Sequence, residues 1–141
     1  MDNILFFLTP KAMCSYLHDD YTMRQALEKM EAANYAALPI LNRRGEYRGT
    51  LTEGDLLWGI KNMCYMDMRQ AEARRIMEID RRKDYIPVKV TTGMHTLIER
   101  ASHQNFVPVV DDKNAFIGIV TRSAIIGYCL ETLFPERESN T

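Results

Sequence analysis

Ala37-Leu38-Pro39-Ile40-Leu41, a polar turn, and then Gly49-Thr50-Leu51-Thr52-Glu53-Gly54-Asp55-Leu56-Leu57 form the stretch that decides how this chain is built. It returns as Phe106-Val107-Pro108-Val109-Val110, a polar turn, and Gly118-Ile119-Val120-Thr121-Arg122-Ser123-Ala124-Ile125-Ile126. Pro39 and Pro108, Gly49 and Gly118, and Thr52 and Thr121 are each 69 residues apart, with no gap between them. Upstream the offset is 71, so the second copy is shorter just before its Phe-Val-Pro segment. The chain is thus an internal repeat, two copies of one supersecondary unit.

Hydrophobic spacing assigns the elements outward from there. Met23, Ala26, Leu27 and Met30 fall at i, i+3, i+4 and i+7, and Met94, Leu97, Ile98 and Ala101 repeat the pattern; each set makes one apolar helix face. Thr22 with Gln25 three residues later predicts a capping box at the first of these helices. Residues 37–41 and 106–110 are short apolar runs that predict buried strands. Asn42-Arg43-Arg44-Gly45 and Asp111-Asp112-Lys113-Asn114 supply turns, and Arg48–Thr52 and Phe116–Thr121 return as second strands. A further helix follows each threonine. Each copy reads β-α-β-β-α, an α+β chain. The expected bounds are an N-terminal arm over 1–10, a first repeat over 11–62, a second over 85–134 and a frayed tail over 135–141. Residues 63–84, rich in arginine and without Gly or Pro, predict a helical linker ending near Lys83.

Composition limits what such a chain does. Lys+Arg is 18 and Asp+Glu is 19, a net charge of -1, which argues against holding nucleic acid by bulk positive charge. Cys14, Cys64 and Cys129 form no Cys-x-x-Cys pair, so neither a disulfide framework nor a metal site is expected. The apolar run Ile4 to Leu8 is too short for a secretory signal, and no run reaches the ~18 residues of a membrane helix. The expectation is a cytoplasmic protein without membrane contact. No metalloprotease, phosphate-loop or nucleophile-elbow motif is present, and His18, His95 and His103 are scattered. The reading is against an enzyme.

The apolar-Pro-apolar strand followed by Gly-apolar-apolar-Thr-x-x-Asp resembles the cystathionine-β-synthase (CBS) domain. Two in tandem resemble a Bateman module, over about Lys11 to Leu133. The resemblance implies two repeats packed by pseudo-twofold symmetry through their sheets, clefts that bind adenosine-containing ligands, and association into a homodimer. It implies a regulatory module that binds an adenine nucleotide (AMP, ADP or ATP) in the first-repeat cleft and signals to a separate effector protein. Two alternatives stay open: an interaction or scaffold protein with degenerate clefts, and a sensor of S-adenosylmethionine, NAD or cyclic di-AMP.

Carried onto this sequence, the resemblance marks Thr52 and Asp55 in the first copy. A threonine opening a helix lies beside free backbone N–H groups that suit a phosphate, and a carboxylate one turn later can accept from a ribose diol. The same pair is equally a plain helix cap. Ala36, Ala37 and Leu38 precede or flank the proline and would let a flat base approach the main chain. Lys11, Ala12 and Met13 are the leading segment of that slot. The second copy departs from the pattern: Ala124 stands where Asp would grip ribose, and Asn105 and Phe106 replace the small pair. Thr121 and Arg122 could meet a phosphate, in their own cleft or projecting toward the first; Lys89 and His103 are read as exposed charges. Trp58 and Tyr128 follow on the last helix of each copy, Trp58 as a candidate interface residue.

Overall fold

The computed structural model describes residues 3–81 and 84–135. Strands are β1 (Thr9–Pro10), β2 (Leu17–His18), β3 (Ala37–Leu41), β4 (Tyr47–Thr52), β5 (Val88–Lys89), β6 (Phe106–Val110) and β7 (Phe116–Thr121). Helices are α1 (Met23–Ala33), α2 (Glu53–Cys64), α3 (Met68–Ala71), α4 (Met94–Ala101) and α5 (Arg122–Leu133). The first copy builds the sheet β2-β3-β4 and the second builds β5-β6-β7, joined at its edge by β1. In both, the first strand pairs parallel with the second and the second antiparallel with the third. The shared register, Leu17 on Ile40 and Val88 on Val109, makes residues 17 and 88 equivalent.

Local chemistry starts the helices. Thr22 Oγ1 accepts from Gln25 N–H at 3.2 Å and Gln25 Oε1 accepts from Thr22 N–H at 2.8 Å, the capping box expected from the sequence. α1 stops at Asn34, which takes the left-handed conformation at φ 59. Met23, Ala26 and Met30 then face a core with Leu17, Leu38, Leu51 and Leu56. Leu97, Val107, Val120 and Ile125 make the matching core of the second copy. The second copy is shorter by three residues in its first helix, 8 in α4 against 11 in α1, and longer by one in the loop that follows, 102–105 against 34–36, which leaves it two residues short.

The repeats are interlaced. The arm before the first copy crosses to the second: Thr9 and Pro10 pair with Ile119 and Gly118, and Ile4 is buried in the second core. The connector does the converse. Ile76 and Ile79 complete the first core, and Asp84 Oδ1 accepts from Thr50 N–H of β4 at 2.8 Å. Here the structure differs from the helical linker expected over 63–84. Beyond the end of α2 at Cys64, only α3 and a single 3-10 turn at Ile76–Glu78 are helical among the described residues; Ile79 leaves that turn with extended backbone, and Asp84 bonds to the edge of β4. Arg82, Lys83 and residues 136–141 of the expected tail lie outside the described residues.

The repeated glycine gains its physical meaning from this crossing. Gly118 has φ +155, and a Cβ there would lie 2.2 Å from Thr9 O; Gly49 has φ +140, and its Cβ would meet Arg81 and Asp84 at 2.6 Å. Each glycine lets the other repeat's lead-in segment cross its sheet. The two hairpin turns also meet: Tyr47 N–H donates to Asn114 O at 3.0 Å and Phe116 N–H to Gly45 O at 2.9 Å. Leu41, Tyr47, Val110 and Phe116 form a small core between the copies.

Candidate functional site

β2 covers β3 only at Ile40 and Leu41, so Pro39 sits where the strand is an uncovered edge and its missing N–H goes unneeded. That uncovered edge forms one wall of a cavity of about 500 Å3. Ala36, Ala37, Leu38 and Pro39 of the first copy face Asn105, Phe106, Ile119 and the turn Thr121-Arg122-Ser123 of the second. Met13, Cys14 and Ser15 close the side toward the lead-in, with Tyr35 also in the lining. The cavity falls within the range of sites that hold small molecules, about 300–1,000 Å3.

Thr121 caps α5, its Oγ1 accepting from Ala124 N–H at 3.2 Å and lying 3.2 Å from Ser123 Oγ. The positive end of the helix and two hydroxyls therefore border the cavity. Arg122 is fixed from behind: its backbone N–H donates to Asn105 O at 3.1 Å and its Nε to Ala101 O at 2.7 Å. Burial pushes the Cys14 thiol up, and it donates to Pro10 O at 3.4 Å, so it stays a neutral thiol.

Of the residues singled out from the sequence, Ala36, Ala37, Leu38, Met13, Thr121 and Arg122 come together in this one cavity. Thr52, Asp55 and Lys11 do not line it. Thr52 Oγ1 accepts from Asp55 N–H at 3.0 Å and Asp55 Oδ2 from Thr52 N–H at 3.3 Å, so the pair caps α2. Asp55 is buried and borders a separate depression with Trp58 and Asp80. Lys11 Nζ lies 5.6 Å over the Tyr16 ring. The expectation that Ala36–Leu38 and Thr52–Asp55 share a cleft is thereby corrected. The cross-packing of the repeats sets the first copy's strand edge opposite the second copy's helix start. Ala124 thus belongs to the helix bordering the open cleft, and the carboxylate of Asp55 to the other. Lys89 pairs with Asp112 at 3.8 Å and His103 is exposed. Trp58 is 43% exposed, with Lys61 Nζ 5.3 Å from its ring centroid, while Tyr128 packs edge-on against Phe7.

Sequence reasoning missed Cys14, Ser15, Tyr35, Ser123 and Ile126 as lining residues. A signal for Cys14 was present in the 71-residue offset, which sets this small side chain opposite Tyr85. No helix among the described residues is long and apolar enough to cross a membrane.

Comparison with known proteins bears on both copies. The CBS domain family matches residues 11–62 and again 76–131. No curated protein matches the chain. Among solved structures, the Listeria monocytogenes CbpB protein in complex with c-di-AMP superposes with a TM-score of 0.82 at 16% identity, covering 94% of this chain and 98% of that one. A CBS domain protein from Streptococcus pneumoniae gives 0.80 at 21% identity over 92% and 88%. CBSX2 in complex with AMP, a CBS-pair protein of Arabidopsis thaliana, gives 0.75 at 18% identity over 94% and 99%. At these identities the likeness establishes the fold. Two family matches on two interlaced copies of one β-α-β-β-α unit lead to one conclusion: the chain belongs to the CBS domain family, as a tandem pair.

Proposed function

We propose that the chain is a regulatory module that binds an adenine nucleotide (AMP, ADP or ATP) in the open cleft and passes its occupancy to a separate effector protein. The observation that carries this reading is the cleft itself. A strand edge floored by small side chains faces the capped start of α5 across about 500 Å3. Ala36 and Ala37 leave room for a flat base against main chain, with Phe106, Ile126 and Met13 as apolar neighbours. Thr121, Arg122 and Ser123 offer hydroxyls, a cation and helix N–H groups to a phosphate. Ala124 provides no carboxylate for the ribose, so in this reading the phosphate end contributes most of the polar affinity. Nothing in this arrangement calls for catalysis.

Cyclic di-AMP is the second reading. Similar structures hold AMP in one case and c-di-AMP in another, and both ligands carry the adenosine monophosphate unit the cleft would take. A ligand bridging the arm, β3 and the start of α5 changes the equilibrium between conformations only by favouring one of them.

The proposal includes a homodimer in the cytoplasm, where three free cysteines suit a reducing compartment. Leu27, Leu57 and Met66 on the α1–α2 face and Ile126, Leu130 and Leu133 on α5 are exposed apolar groups that a second copy would cover. Light scattering should give about twice 16.4 kDa, and a monomer mass at micromolar concentration would remove the dimer from the proposal.

The ligand test is a thermal-shift series with AMP, ADP, ATP, cyclic di-AMP, S-adenosylmethionine and NAD. At 100 times its dissociation constant a ligand adds about 2.7 kcal/mol, several degrees for a chain of this size. The shift should vanish in Ala36→Leu, whose larger side chain fills the floor of the cleft. Silence toward all six would favour the scaffold reading.

A further inference from the structure

The two copies are built alike, yet their clefts are not. Register makes Tyr85 the equivalent of Cys14, and the 69-residue offset makes Gln104 the equivalent of Tyr35. In the second cleft Tyr85 is buried with Ala37 and Phe106, its ring centroid 5.0 Å from that of Phe106. Its hydroxyl accepts from Asn105 N–H at 3.3 Å, and its carbonyl accepts from Tyr47 OH at 2.8 Å. Gln104, also buried, accepts from Ile86 N–H at 3.0 Å and donates to Phe106 O at 3.2 Å, fastening the lead-in over the cleft. In the first cleft a thiol takes the place of the phenol, and Tyr35 is exposed at 57%. The open space corresponds to this exchange.

We propose that Tyr85 is a built-in occupant of the second cleft, so that each chain takes one nucleotide, and that it positions the far wall of the open cleft. Asn105 links the two: its main-chain N–H is bound by Tyr85, its carbonyl accepts from Arg122 N–H, and the residue lines the open cavity. Phe106 is shared in the same way, packed on Tyr85 and lining the cavity. A ring held on one side of these two residues thus sets the surface that a base meets on the other. Two nucleotide sites of this architecture become one site and one internal prop. The inference rests on the nucleotide reading above for its stoichiometry, but not for the occupancy of the second cleft.

The test combines titration calorimetry, using AMP and cyclic di-AMP as probes, with thermal unfolding in p-cresol, the tyrosine side chain as a free molecule. Wild type should bind one AMP unit per chain. Cys14→Tyr should fill the open cleft as Tyr85 fills the other, abolishing binding with the melting point retained. Tyr85→Ala should melt lower and be stabilised by p-cresol more than wild type, since a dry apolar cavity takes up a small aromatic. Tyr85→Phe, a milder variant expected to fold, keeps the ring and loses the bond to Asn105. It should bind in the same stoichiometry with about fivefold lower affinity, the equivalent of one hydrogen bond near 1 kcal/mol. Two AMP per wild-type chain, or p-cresol stabilising Tyr85→Ala no more than wild type, would overturn the occupancy. Unchanged affinity in Tyr85→Phe would overturn the positioning role. If wild type binds neither nucleotide while p-cresol still rescues Tyr85→Ala, the nucleotide reading fails and the occupied second cleft stands.

Discussion

Gly118→Ala places a methyl group where the N-terminal arm crosses the second sheet. The new Cβ would lie 2.2 Å from Thr9 O and 3.1 Å from Pro10 Cα, both main-chain atoms of β1. No rotamer relieves that contact, so β1 must lift from β7. The backbone itself, at φ +155, costs a non-glycine residue roughly 1–3 kcal/mol. Lifting the arm also exposes Ile4, which is 1% exposed in the second core, and losing the burial of such a side chain costs about 1.5–3 kcal/mol. We expect a loss of about 4 kcal/mol and a melting point lower by roughly 10 °C. Gly49→Ala is the internal control. Its Cβ meets the tips of Arg81 and Asp84, side chains that can swing away, so about 2 kcal/mol is expected. Urea unfolding followed by circular dichroism measures both. Deleting residues 1–8 should cost much of what Gly118→Ala costs, and the two changes together should fall well short of additive because they remove the same contact. Equal losses for the two glycines, or full additivity with the deletion, would refute the crossing as the reason for the repeated glycine. Because Thr9 and Met13 line the open cleft, Gly118→Ala should also lose ligand binding.

Asp55→Ala removes a reciprocal cap from α2 and should lower stability by about 1 kcal/mol in urea unfolding, while nucleotide affinity measured by calorimetry stays at the wild-type value. A fall in affinity would put Asp55 back at the ligand. His18 carries a pH dependence of its own: burial and then the Arg43 charge push its imidazole below the usual 6.5, against smaller opposing effects of Asp20 and Asp19. The unfolded chain therefore takes the proton more readily. This contribution is whole above about pH 6.5 and is lost as pH falls through the lower folded value. Asp20, held down by its hydrogen bonds to Arg43, acts in a separate window below 3.8. Urea midpoints between pH 7.5 and 5 should fall more steeply in wild type than in His18→Gln; parallel slopes would dismiss the histidine.

The elements of each copy can be read along the chain, because their signals are local. Apolar spacing at Met23–Met30 reports a helix face, a Thr with Gln three residues on reports its start, and equal spacing of Pro, Gly and Thr reports a repeated unit. The same locality made the capping by Thr52 readable while leaving the position of Asp55 undecided, since a cap and a ribose contact have identical spacing. Which copy supplies each wall of the cleft is set instead by how the two copies pack. Ile4 completes the second core and Ile79 the first, so the lead-ins cross, and the crossing joins Ala36–Pro39 to Thr121–Ser123 rather than to Thr52–Asp55. No periodicity encodes that choice, because it depends on contacts between segments distant in sequence. The difference between the clefts has the same origin. Cys14 and Tyr85 are both apolar lead-in residues when read along the chain. The 71-residue offset pairs them, and the register of β2 and β5 brings them to equivalent places in the fold, where a thiol leaves room and a phenol ring fills it.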